Sequence, residues 1–355
     1  MGRPHRRDRM SQLTSAEHDL IVAGLSQRAS LIELMLRDLY GERELIRAGI
    51  VPGEMVFSDP QFVPSAWSAP RGQKRLLLAC GFTLTRASTG WTLVNTTADT
   101  PLAEPLGDSR AVHTAIKNEI AHRYADGLVV ALASTGNGAF TPNHESFAHH
   151  LGIRLVDPSS LTVHAGSLVL NDGSQRERVD AVLRLIPSLE MDPLDIRAQA
   201  AFAVSGISAT AHRGAVAIAN PIGAGAVENP VLESVLDDVA RFFFDEPLHL
   251  SAPRTIWFGN EDEREEAFSR PEEFTLTHRS GASRSIPTNS RDDDAQQLLA
   301  AIREKPWDWY ARETLEPSTE PGFSVQAVCV LGQERVQTVL LTASETASDL
   351  QGAKA

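Results

Sequence analysis

Ala215-Val-Ala-Ile-Ala-Asn220-Pro-Ile-Gly-Ala-Gly-Ala-Val-Glu-Asn-Pro230 begins as a short apolar strand, breaks at Asn220-Pro221 and passes two glycines. Apolar residues at helical spacing then predict an amphipathic helix that runs through Phe244. A strand that feeds a helix through a glycine turn is a connection of α/β sheets. Free backbone N–H groups at such a helix start favour an anion, and a phosphate would suit them. The glycines lack phosphate-loop or dinucleotide spacing, so the stretch equally fits a tight turn in which Gly223 and Gly225 supply special backbone angles.

Upstream of this stretch, residues 128–133, 154–156, 168–170 and 181–185 are short apolar runs that alternate with helical stretches. Together with residues 215–218 they predict a central α/β domain over 126–260. Residues 15–48 carry Leu20, Ile21, Leu25, Leu31, Leu34, Leu36 and Leu39 at three- and four-residue spacing, which predicts one long or two short amphipathic helices ended by Gly49 and Pro52. Two β-rich runs, 74–80 and 90–95, add a small sheet, giving a helical and small-sheet lobe over 15–125. The small, polar and proline residues of 95–109 predict a surface loop, and the Ser, Arg, Thr and Pro of 269–291 predict another. Residues 295–302 predict a short helix within a C-terminal lobe over 261–342. Residues 1–14 read as a disordered basic tail and 343–355 as a frayed one.

The chain has 355 residues, 42% of them hydrophobic, enough for two or three packed lobes. A net charge of -13 argues against a nucleic-acid partner, because phosphate binding needs clustered Lys and Arg. The basic cluster from Arg3 to Arg9 precedes no apolar segment of a secretory signal, and no apolar run approaches the ~20 residues needed to cross a bilayer. The sequence therefore predicts a soluble, cytoplasmic protein with no membrane partner. Cys80 and Cys329 lie in apolar runs without metal-ligand spacing and read as buried free thiols.

Alternation along 179–185 places Asp180, Val182 and Arg184 on one strand face, where a carboxylate and a guanidinium could project together into a cleft or form a salt-bridged edge. His144, His149 and His150 are spaced by five and six, which favours surface or cap roles over a metal site.

Taken in order, these pieces become more specific. Leu36-Arg-Asp-Leu-Tyr-Gly41, Leu45-Ile-Arg-Ala-Gly-Ile-Val-Pro52, Leu151-Gly-Ile153, Val179-Asp-Ala-Val-Leu-Arg184, Asp192-Pro-Leu-Asp-Ile-Arg197, the segment from Ala219 to Glu228, and Tyr310-Ala-Arg-Glu313 with Ser318, Thr319 and Pro321 resemble successive motifs of circularly permuted ATP-grasp proteins, type 2-like. The resemblance implies an ATP-grasp-like α/β fold of α+β lobes behind an N-terminal helical segment. It also implies ATP-dependent joining of a small carboxylate to an amine through an acyl-phosphate, with Mg²⁺ between acidic residues and the phosphates. On that resemblance Asp180 and Arg184 would be catalytic, Arg86, Arg110, Asn220, Gly223, Gly225 and Glu228 would hold the nucleotide, and Glu313 would take the metal.

Several charged positions of the pattern are neutral or changed here. Thr277 in Phe274-Thr-Leu-Thr-His278 replaces a Lys or Arg, Thr83 replaces an Asp ahead of Arg86, and Asn95-Thr96 replaces an Asp-Arg pair. Leu185 stands for a second Arg, Arg312 for a Gln, and Val325-Gln-Ala-Val328 for a Leu-Arg-x-Phe motif. A neutral hydroxyl cannot replace a cation against a triphosphate. The resemblance thus implies either a catalytically degraded protein that serves as a binding or regulatory partner, of an intact relative or a co-acting enzyme, or an active ligase with a rearranged site.

Overall fold

Thr14 starts the first helix, α1 (Ser15–Tyr40), through a capping box: its hydroxyl accepts from Glu17 N at 3.2 Å, and the Glu17 carboxylate accepts from Thr14 N at 2.9 Å. Along α1 the residues Ile21, Leu25, Leu36 and Leu39 are fully buried. Burying each contributes about 1.5–3 kcal/mol relative to exposure, so docking rather than propensity holds the helix. The long-helix alternative is the one formed. Asp38 near its end accepts from Glu44 N and Leu45 N at 2.7 and 3.1 Å and so starts α2 (Glu44–Arg47).

In this computed structural model the described residues are 13–64, 75–103, 106, 109–125, 127–135, 138–173, 175–196, 203–279, 283–285, 293–316 and 323–345. The remaining helices are α3 (Gly53–Phe57), α4 (Arg110–Arg123), α5 (Pro142–Leu151), α6 (Ile207–His212), α7 (Leu236–Phe244), α8 (Glu261–Ser269) and α9 (Asp293–Glu304). The strands are β1 (Ala79–Ala87), β2 (Gly90–Thr97), β3 (Val129–Leu132), β4 (Arg154–Val156), β5 (Leu161–His164), β6 (Ser167–Asp172), β7 (Gln175–Arg178), β8 (Ala181–Arg184), β9 (Ala217–Ala219), β10 (Thr255–Trp257), β11 (Phe274–His278), β12 (Ser283–Ser285), β13 (Trp309–Glu313), β14 (Phe323–Leu331) and β15 (Val336–Glu345).

Four sheets result. The central one is parallel, in the order β4-β3-β8-β9. One face packs under α4 and α5 through Ile116, Phe147, Ala131 and Leu183. The opposite face carries Val130, Leu132 and Val182 against Leu168 and Ile207. The sequence expectation of an α/β sheet here holds for four of its five runs. Residues 168–170 instead belong to β6, in a separate antiparallel sheet β5-β6-β7 that covers one face.

The second large sheet is antiparallel, β15-β14-β1-β2, and α1 lies on it with Leu25 and Leu36 beside Phe82, Leu84 and Val325. Strands from opposite ends of the chain meet there, and Cys80 pairs in register with Cys329. Both thiols are free and fully buried, as expected. The C-terminal sheet β10-β13-β11-β12 packs on α8 and α9 through Ile256, Leu276, Leu298 and Ile302.

Two loop expectations fail. Within 269–291, residues 274–278 and 283–285 are paired strands, because alternation in Phe274-Thr-Leu-Thr-His278 buries Phe274 and Leu276. Within 95–109, Ala98 and Asp99 are buried. Residues 343–345 continue β15, while 346–355, like 1–12, lie outside the described residues. Among the described residues, no helix is long and apolar enough to cross a membrane.

Candidate functional site

Carboxyl ends of parallel strands are where α/β sheets place their chemistry. Arg184 stands at that end of β8 and is 1% exposed. Its Nη2 donates to Asp99 Oδ1 at 2.8 Å and to the Asp99 carbonyl at 2.7 Å. Its Nη1 donates to the Ile186 carbonyl at 2.8 Å, and its Nε to the Asn220 carbonyl at 3.2 Å. All three guanidinium nitrogens are therefore engaged with protein acceptors. Asp99 also accepts from Ser188 N at 2.9 Å and from the Ser188 hydroxyl. Burial raises the Asp99 carboxyl, but the Arg184 charge and the Ser188 hydrogen bonds outweigh it and hold the group below the usual carboxylate range.

The glycine segment packs against this pair. Residues 224–228 form a 3₁₀ turn and 230–234 a second one, so the glycines do not feed α7 directly as the sequence suggested. Gly223 has φ of 86°, and a Cβ there would lie 2.3 Å from the Tyr40 hydroxyl oxygen. Its N–H donates to Ser188 Oγ at 2.9 Å, and its carbonyl accepts from the Tyr40 hydroxyl at 3.0 Å. A Cβ at Gly225 would meet the Gln61 amide oxygen at 3.0 Å. The segment from Pro221 to Val227 is buried throughout, and the positive φ of Gly223 is a special backbone angle of the kind the tight-turn reading expects.

Asn220 and Glu228 bracket that segment. The Asn220 amide oxygen accepts from Leu78 N and Ala79 N at 2.7 and 3.2 Å, and its nitrogen donates to the carbonyls of Ala79 and Ala98 at 2.7 and 2.6 Å. One amide thus stitches the parallel sheet to the antiparallel one. Glu228 accepts from the N–H groups of Ala98 and Asp99. Burial, and next the charge of Asp99, push its carboxyl up to about 7 against the lowering effect of those hydrogen bonds and of Arg184.

Other expected residues lie elsewhere. Asp180 immediately precedes β8, at the opposite end from Arg184; about 13 Å of strand separates them. Its carboxylate accepts from Leu128 N at 3.0 Å and pairs with Arg178 Nε at 3.3 Å. The shared-cleft alternative therefore fails, and so does a salt-bridged edge between the two, because β8 lies inside the sheet between β3 and β9, with Asp180 paired to Arg178 and Arg184 to Asp99: period two fixes a face, whereas the end of the strand depends on its length. Arg86 lies near the far end of β1 from Ala79 and pairs with Glu17 of the α1 capping box, its guanidinium 5.8 Å from the Trp91 ring. Arg110 is exposed in the first turn of α4. Glu313 is exposed at the end of β13, where Oε2 accepts from Arg254 N at 3.0 Å. His150 stacks on His113 with ring centroids 4.4 Å apart. Among the described residues, no group of three or more His, Cys, Asp or Glu could hold a metal ion.

At the changed positions, Thr277 is buried with its hydroxyl 3.1 Å from Ser283 Oγ, and Leu185 is buried in the core beneath α4. Arg312 Nη2 donates to the Val94 carbonyl at 3.0 Å and ties β13 to β2. Ser318, Thr319 and Pro321 lie outside the described residues.

Asp99, Ser188 and Tyr40 were missed by sequence reading. Asp99 sits in the stretch 95–109, whose small, polar and proline residues signal a loop. Its nearest signal was the apolar β2 directly before it, which shows that the chain is still crossing the core there.

A family profile described as circularly permuted ATP-grasp type 2 matches residues 12–109 and 109–339. An uncharacterised protein of Mycobacterium tuberculosis (strain H37Rv) is 30% identical over 337 residues, covering 87% of this chain and 38% of that protein. Another, of Mycobacterium leprae (strain TN), is 26% identical over 342 residues, covering 87% of this chain and 60% of that one. The chain thus spans less than two thirds of the length of each of these relatives. A solved structure from Methylobacillus flagellatus KT superposes at a TM-score of 0.44 with 12% identity, covering 95% of this chain and 83% of that one.

Proposed function

The chain belongs to the circularly permuted ATP-grasp type 2 family, and on that premise we propose that it keeps the scaffold of an ATP-dependent carboxylate–amine ligase as a binding or regulatory protein, without ligase turnover of its own. Its partner in this reading is an intact relative or a co-acting enzyme. The observation that carries the reading is Arg184. A cation that neutralises phosphoryl charge must present N–H groups to the ligand. Arg184 presents them instead to the Asp99 carboxylate and to four backbone carbonyls, those of Asp99, Ile186, Asn220 and Pro221, at 1% exposure.

The remaining candidates add support. Thr277 offers a hydroxyl where a cation is expected, and among the described residues Glu313 belongs to no group of three or more His, Cys, Asp or Glu that could hold Mg²⁺. The residues present therefore do not fit a tightly held Mg²⁺–triphosphate. Asn220, Gly223, Gly225 and Glu228 act in this reading as the joint between the two large sheets. Arg86 and Asp180 act as structural ion pairs.

Isothermal titration of the purified protein with ATP and Mg²⁺ tests the proposal, together with an assay for ATP-dependent amide formation. The expected result is no binding tighter than about 1 mM and no product. Micromolar affinity, or amide formation without a partner, would overturn it in favour of an active ligase with a rearranged site.

A further inference from the structure

One short stretch after α3, residues 59–63, closes over the buried glycine segment. A Cβ on Gly225 would stand 3.0 Å from the Gln61 amide oxygen and 3.4 Å from the Asp99 Cβ, so Gln61 lies directly on Gly225 beside Asp99. The Tyr40 hydroxyl accepts from Val63 N at 2.9 Å while it donates to the Gly223 carbonyl, and the Tyr40 ring stacks on Phe62 with centroids 4.6 Å apart. Phe62 and Val63 are buried in two different cores, Phe62 with the residues beneath α1 and Val63 with Ile222. The room that the two glycines leave is thus filled by Tyr40 and Gln61.

The stretch is held from the C-terminal sheet. Arg279, the residue after β11, pairs with Asp59 at 3.1 Å, the two side chains being only 10% and 9% exposed, and its Nη1 donates to the Ser58 hydroxyl. Asp59 Oδ1 accepts from Gln61 N at 2.8 Å and closes the turn. Burial raises the Asp59 carboxyl, against that hydrogen bond and the Arg279 charge, so without Arg279 a buried carboxylate would be left unpaired. One group resists closure. Among the described residues, Gln61 Oε1 is buried and has no hydrogen-bond partner. A buried acceptor left unpaired costs free energy that is recovered once water reaches it. Apolar burial and an ion pair thus hold the stretch shut while an orphaned oxygen favours its opening, which are the opposed terms of a local two-state element.

We propose that residues 59–63 are a strap, latched by Arg279, that opens and closes over the glycine segment, so that the C-terminal sheet controls access to the joint between the two large sheets. Opening uncovers Gly223, Gly225 and the Asp99 side of the Arg184 network together, because Gln61 and Tyr40 leave with the strap or lose their partners in it. The device needs no nucleotide and is independent of ligase turnover.

Hydrogen–deuterium exchange of the full chain at pH 7, read by mass spectrometry without ATP, tests this. Arg279→Met should speed exchange by about tenfold in the peptides that cover 59–63 and 221–227, both together, and leave those of β3 and α5 unchanged. Arg279→Lys, which keeps the charge, should restore most of the protection. Gln61→Met, of matched length and without the orphaned oxygen, should slow exchange in both segments. Three results with Arg279→Met would overturn the strap: no change in either segment, faster exchange in 59–63 with 221–227 unchanged, or faster exchange by one factor throughout the chain, which is loss of the fold and not a local opening. Unchanged or faster exchange in Gln61→Met would overturn the bias toward opening assigned to its oxygen. Because no nucleotide is present, none of these outcomes bears on ligase turnover.

Discussion

Two polar regions of the molecule treat charge in opposite ways. At the carboxyl end of β8, Arg184, Asp99 and Glu228 are enclosed with Asn220 and Ser188 in a network that joins two sheets. In the C-terminal sheet, Thr277 is neutral and bonded to Ser283, and Glu313 is exposed beside Arg254. Removing a charge from the first region leaves its partner unpaired in a dry interior, whereas the second region can change charge with little consequence for folding.

The sharpest way to break that contrast is Arg184→Ala. It strands the buried Asp99 carboxylate and should cost about 3–5 kcal/mol in urea or thermal unfolding. The double variant Arg184→Met with Asp99→Leu should recover part of that loss. A double variant as unstable as the two single losses added together would mean that the pair is not coupled.

Asn220→Ala comes next. It removes four backbone partners at the junction of the sheets and should lower stability by about 2–4 kcal/mol, read from the denaturant midpoint. A loss below about 0.5 kcal/mol would mean that the junction is held by packing alone.

Glu228 gives an effect that depends on pH. Its carboxyl is raised from 4.5 to about 7, so the folded state keeps a proton that the unfolded chain releases. That contribution is complete below the unfolded value of 4.5 and is lost as pH rises through about 7. Asp99 runs the other way: its carboxyl is lowered, so its contribution is present above the unfolded value of 3.8 and lost as pH falls through the folded value. Stability measured between pH 4.5 and 7 should therefore decline by on the order of 2 kcal/mol, and Glu228→Gln should flatten the decline. An unchanged slope in the variant would assign the titration to another group.

The smallest effects belong to the C-terminal sheet. Glu313→Gln should shift stability by less than about 0.5 kcal/mol. Thr277→Lys should strengthen ATP–Mg²⁺ binding by about tenfold at most, seen by calorimetry, and should not produce turnover while Thr83, Asn95 and Thr96 stay neutral. Turnover in this variant would show that a single charge had been lacking.

The sequence by itself determined what local rules govern. The capping pair Thr14 and Glu17, the apolar stripe of α1, the short apolar strands around β3, β8 and β9, and the buried cysteines all follow from caps and periodicity within a few residues. The ordered motifs likewise fixed the family, because they are residue types at set spacings along the chain. What the tertiary structure decided is the company each residue keeps. Arg184 finds Asp99 85 residues away, and Asn220 reaches Leu78 across 142. Period two placed Asp180 on the face of Arg184 but could not say that the strand ends between them. Burial, partner and strand end are non-local quantities, set only when the sheets close around α1, and they separate a residue that could meet a ligand from one that holds the fold together.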